Sequence, residues 1–197
     1  MGLSDIRIFR LIVQVGLTTL SLAVIGLCIK AMNDLEEDKR TIARLLPGGQ
    51  IEARNIVGSG VALVMVSCGI VLMTILNSIY ILKDRCPQAI RKRCPADFSR
   101  KTMAVFAFIL TPINIAQSCL TATQSARVSS STLPADTVEN LVAFSGRSLL
   151  YKDKVTIVDY TVIAWITLLL LLIGITIESS KFSRPEYGDA DQEKTSA

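Results

Sequence analysis

Histidine is absent from the 197-residue chain. That removes the commonest general base, the commonest metal ligand and the usual partner of a nucleophilic serine or cysteine. No enzyme activity, cofactor or metal is expected, and no small-molecule substrate. A phosphate-binding loop is missing as well: Gly58-Ser59-Gly60 opens an apolar stretch and no lysine follows it. Paired carboxylates occur only in Glu36 to Asp38 and near the C-terminus, where they read as solvated charge. The basic run Arg91, Lys92, Arg93 lacks interleaved aromatics, so a nucleic-acid partner is not expected.

Charge is nearly missing from four blocks, at about 9–29, 56–82, 103–123 and 155–177. Each reaches the roughly 20 residues that a helix rising about 1.5 Å per residue needs to cross about 30 Å of hydrocarbon. Lipid offers peptide groups no hydrogen-bond partner, and the alternation of a barrel strand is absent, so all four blocks are expected to be helices. The expected fold is all-α, an integral membrane four-helix bundle over residues 1–180. A Pro-, Asp-, Glu- and Lys-rich segment, 181–197, reads as a disordered cytoplasmic tail. The first block exceeds a signal-peptide core and lacks a small-residue cleavage pattern before the charged segment 31–54. Ile6 stands where a myristoylation motif wants Ser or Thr.

The segment 83–101 carries seven basic residues, among them Lys83, Arg85, Arg100 and Lys101, against Asp84 and Asp97. Short basic loops stay in the cytoplasm, and Arg7, Arg10, Lys181 and Arg184 agree, so both termini are expected there. The loops 30–55 and 124–154 then face outward. They hold no cysteine, and the chain has no Asn-x-Ser/Thr acceptor, which excludes a disulfide staple and N-glycosylation there. Leu35, Ile42, Leu45 and Leu46 recur at helical spacing and extend the first helix until Pro47-Gly48-Gly49 ends it. In the second outer loop, Ser129 to Thr132 reads as a polar linker. Asp136 with Glu139 reads as a capping box for a short helix through Phe144, with Gly146 as its stop.

Polar residues within spans should face other helices, because lipid leaves them unpaired. In the third span Thr111, Asn114, Gln117, Ser118, Thr121 and Gln124 share one face, with Pro112 just before it. Gln14, Thr18 and Ser21 form a shorter stripe in the first span, and Gly60, Ser67, Thr74 and Ser78 a small-residue seam in the second. These are the expected helix–helix or partner interfaces; a water- or ion-lined path is the alternative. Asp159, one turn into the fourth span, is the ionisable residue clearly inside a span. It is expected to pair with Arg54, Arg127, Lys152 or Lys154 or to snorkel, with a substrate or proton site as the alternative. Tyr80 and Tyr160 suit interfacial anchoring, Trp165 suits packing on a helix or partner, and Leu168 to Leu172 suit lipid contact. Arg91, Lys92 and Arg93 are candidate contacts for anionic lipids, and Cys86 and Cys94 candidate palmitoylation sites.

Four spans, termini inside, modest outer loops and a short basic inner loop resemble the plan of MARVEL-type and related tetraspan membrane proteins. The resemblance is one of architecture and covers about residues 5–180. Claudins and tetraspanins fit less well, being built around outer-loop cysteines. The resemblance implies a role in organising membrane domains or in trafficking. The expected partners are membrane lipids and another integral membrane protein or a second copy, with the plasma membrane as the expected location. Two functions are in view: a noncatalytic tetraspan that associates laterally, or an oligomeric channel or transporter lined by the third span.

Overall fold

A computed structural model of the chain describes residues 3–45, 49–81, 98–130, 134 and 150–179. In chain order these form α1 (Leu3–Leu45), β1 (Gly49–Glu52), α2 (Arg54–Ile81), α3 (Phe98–Thr123), β2 (Arg127–Ser130), a 3-10 turn (Tyr151–Asp153) and α4 (Val155–Ser179). The four α-helices are long and apolar enough to cross a membrane, the make-up of a multi-pass membrane protein. Each runs at least as far as its apolar block except α2, which starts two residues earlier than 56 and ends at Ile81. The helical extension past residue 30, expected from the spacing of Leu35, Ile42 and Leu45, is continuous with the span: α1 is one helix of 43 residues, about 65 Å long at about 1.5 Å per residue.

Buried positions recur at alternating three- and four-residue steps. In α2 they are Leu63, Ser67, Ile70, Thr74 and Asn77; in α3, Met103, Ala107, Leu110, Asn114, Gln117 and Thr121. Such a 3.5-residue period keeps one seam of each helix against its neighbours. The helices stand in a square in which α1 and α3 each pack against both α2 and α4. Thr18 meets Thr74, Ser59 meets Gln117, and Tyr160 meets Gln117, so neighbouring helices run in opposite directions. Val13, Leu17, Val24, Leu110, Leu168 and Leu171 lie within the shared core. Leu168 and Leu171 therefore correct the expectation of lipid contact for that leucine run; Leu169 and Leu172 do face outward.

The sequence contains a sheet that its pattern does not announce. Strands β1 and β2 pair antiparallel, with Ile51 opposite Val128 and Glu52 opposite Arg127. Ser129, expected in a linker, is hydrogen-bonded strand opposite Gln50. Four residues per strand are too few for alternation to show in the sequence. The ribbon ties the α1–α2 connection to the α3–α4 connection, and a small second core sits beneath it: Ala53, Ile56, Ala126 and Tyr151, with Leu35 and Ile51 against them. This end is called the ribbon end below. The capping box at 136–144, Gly146 and the tail 181–197 lie outside the described residues.

Candidate functional site

Gln117 is the hub of the polar groups inside the bundle. Its Oε1 accepts a hydrogen bond from Ser59 Oγ of α2 at 2.5 Å, and its Nε2 donates to the Tyr160 hydroxyl of α4 at 2.6 Å and to Thr121 Oγ1 at 3.4 Å. One turn deeper, Asn114 Nδ2 donates to the carbonyl of Ala164 at 3.1 Å. Trp165 Nε1 donates to Ser118 Oγ at 2.9 Å. The polar stripe of α3 thus faces α2 and α4 within one chain. Tyr160 is 3% exposed, so it is a core residue with its hydroxyl satisfied, in place of the interfacial anchor expected from sequence. The side chain of Tyr80 lies outside the described residues.

On α1, Gln14 and Ser21 are buried and Thr18 is half-buried, with Thr18 Oγ1 and Thr74 Oγ1 at 2.8 Å. Gln14 Oε1, Ser21 Oγ and Asn114 Oδ1 have no hydrogen-bond partner among the described residues. On α2, Ser67 and Thr74 are buried and Ser78 is half-buried, but Gly60 is not a point of close helix approach. A Cβ built there meets nothing within 4 Å. Tight contacts occur at other glycines: a Cβ at Gly69 would lie 2.6 Å from the Phe106 ring, at Gly16 3.0 Å from Leu170, and at Gly174 3.0 Å from the Met103 sulfur.

Two ion pairs clamp α1, one to α4 and one to Lys154 just before it. At the end opposite the ribbon, Arg10 Nε donates to Glu178 Oε1 at 2.5 Å, and Arg10 Nη2 contacts the same oxygen. The Glu178 side chain is 8% and that of Arg10 14% exposed. The span read from the sequence stops at 177 and leaves Glu178 unnamed, although it follows Ala164 and Leu171 at one-heptad steps, the signal that could have found it. At the ribbon end, Lys154 Nζ sits 2.7 Å from Asp38 Oδ2, and Thr156 Oγ1 donates to Asp34 at 3.3 Å.

Asp159 is exposed, and Lys154, one of the four cations that the sequence offers it, is held by Asp38. Its helical position aligns it with exposed Val155, Val162, Ile166, Leu169 and Ile173, so it stands on the outward stripe of α4. Arg91, Lys92, Arg93, Cys86 and Cys94 lie outside the described residues.

Between α1, α2 and α4 at the ribbon end is a cavity of about 190 Å³. Its floor is apolar, with Cys28, Ile56, Val57 and the Tyr160 ring, and Gly60 leaves its wall open. Asp34, Asp38, Asp153 and Lys154 line its polar side. Tyr151 closes it beside the ribbon, and burial pushes this phenol above its ordinary value. Among the described residues no group of acids and cysteines is placed to hold a metal ion. No family model, curated protein or solved structure matches the chain, so nothing beyond the four-helix architecture stands behind the MARVEL-type resemblance.

Proposed function

We propose that this is a noncatalytic tetraspan protein that associates laterally in the membrane, as a membrane-domain organiser or an accessory subunit of a larger complex such as a pump, transporter or synthase. The carrying observation is Asp159, a carboxylate on an otherwise apolar outward stripe. A carboxylate facing lipid is costly, and the cost falls when a neighbouring helix supplies a cation or a donor. A partner helix, from another protein or a second copy, meets α4 along this stripe. The basic segment 83–101 supports cytoplasmic termini, and the plasma membrane is the setting proposed. A channel lined by α3 would need Asn114, Gln117 and Thr121 on an outward face, whereas all three are buried.

Purification in mild detergent, with mass spectrometry and particle imaging, tests the reading. The expected result is a stoichiometric membrane partner or a defined oligomer, dispersed by Asp159→Leu while the thermal melt of the bundle stays unchanged. An Asp159→Leu variant that keeps its assembly, or a wild-type chain that is monomeric and conducts ions after reconstitution, refutes it.

A further inference from the structure

Lateral association leaves the helix that meets Asp159 unnamed, and the chain's own outward faces select one. We infer that it is α1 of a second copy, with Lys30 as the cation, so that copies join head to tail. The inference rests on the lateral-association reading and names its partner.

Depth matches the two residues. The Arg10–Glu178 contact sets α1 and α4 level at the end opposite the ribbon. Lys30 stands about 30 Å along α1 from Arg10, and Asp159 about 29 Å along α4 from Glu178, at about 1.5 Å per residue. The hydrogen bond between Thr156 and Asp34 keeps the same register at the ribbon end. Copies of one sequence insert with one orientation, so neighbours in a bilayer differ by a rotation about its normal. Lys30 of one copy therefore arrives level with Asp159 of the next.

Face and charge match as well. On α1, Ile12, Val15, Thr19, Leu22 and Gly26 are exposed at three- and four-residue steps, and exposed Lys30 follows one turn after Gly26 on the same side. Among the described residues neither the Lys30 nor the Asp159 side chain is in an ion pair; Asp34, one turn beyond Lys30, is bonded to Thr156. The other helices offer no cation at this depth. In α2 the sole basic residue is Arg54, and in α3 Arg100 and Lys101 lie at the opposite end. Arg54 is about 30 Å from Thr74, while Lys30 is about 18 Å from Thr18, the bonding partner of Thr74, so Arg54 stands about 12 Å higher at about 1.5 Å per residue.

These positions decide the symmetry. A two-fold contact of α4 with α4 would set Asp159 against Asp159, which like charge opposes. Lys30 and Asp159 lie on different helices of the chain, so the contact is heterologous and repeats around a ring. Gly26 gives the approach: a Cβ there meets nothing within 4 Å inside the chain, and a bare backbone lets a neighbouring helix come near.

Full-length chains carrying donor or acceptor dyes, reconstituted in phosphatidylcholine liposomes, test this by energy transfer followed against lipid dilution. Lys30→Asp and Asp159→Lys each set like charges together and should weaken association by at least about tenfold. Mixed in equal amounts, the two variants should regain it, because every contact between them again joins opposite charges. Gly26→Phe should weaken it with the melt of the bundle unchanged, and it decides the matter if a charge variant fails to fold. Recovery in a chain carrying both charge changes, but not in the mixture, overturns the inference, because the pair then lies within one chain. If Asp159→Lys but not Lys30→Asp disperses a complex purified in mild detergent, another protein supplies the cation; the inference then falls and the lateral-association reading stands.

Discussion

Removing one partner of the Arg10–Glu178 pair takes a charge–charge contact out of a largely buried site. Both side chains are largely buried, and Glu178 Oε1 receives two contacts from one guanidinium. Breaking a buried pair from one side costs roughly 3–5 kcal/mol, whereas replacing both members by apolar residues is often neutral. Because Arg10 keeps some exposure, the lower figure applies, about 3 kcal/mol for Arg10→Leu or Glu178→Leu. The double variant should lose clearly less than the sum of the two single losses, since the two charges that face each other are removed together. Unfolding in mixed micelles of mild detergent and dodecyl sulfate measures this, with the fluorescence of the sole tryptophan, Trp165, as the readout. Trp165 donates to Ser118 across α3 and α4, so its signal reports helix separation. A double variant that loses the sum of the two single losses would refute the reasoning, because it would show two independent sites.

Gly69→Ala should destabilise the bundle by about 1–3 kcal/mol, because its Cβ would fall 2.6 Å from the Phe106 ring, whereas Gly60→Ala should be neutral or stabilising by about 0.4–1 kcal/mol; the same micelle titration separates them. Gln117→Leu removes the bonds to Ser59 and Tyr160 and should cost about 1–3 kcal/mol, while Gln124→Leu, at an exposed position, should cost little. The raised Tyr151 phenol is neutral in the fold where the unfolded chain's would ionise. Its stabilisation is fully present below the ordinary phenol value and is lost as pH rises through the folded value. Alkaline melts of wild type and Tyr151→Phe should therefore converge less steeply for the variant; identical slopes would contradict the assignment.

The four helices were legible because hydrocarbon imposes a length and an exclusion of charge that composition alone reveals. The buried face of α3 was legible for the same reason, since Asn114, Gln117 and Thr121 are too polar for lipid and share one side. Tyr160 was misjudged and Glu178 passed over because each stands near a span end, where solvation and burial give the same sequence pattern. What separates them is a partner on another helix, Gln117 in one case and Arg10 in the other. The ribbon and the cavity depend on loops meeting across the end of the bundle. Pairing between β1 and β2 joins residues nearly eighty positions apart, and no local periodicity encodes that.

The uninterrupted course of α1 has a mechanical result. No proline lies between Leu3 and Leu45, so the segment behaves as a single stiff shaft whose lower part is gripped by Glu178 and whose upper part carries Asp34 and Asp38. A tilt of that shaft at the Arg10–Glu178 end is therefore felt at its far end, where α1 stands beside the ribbon.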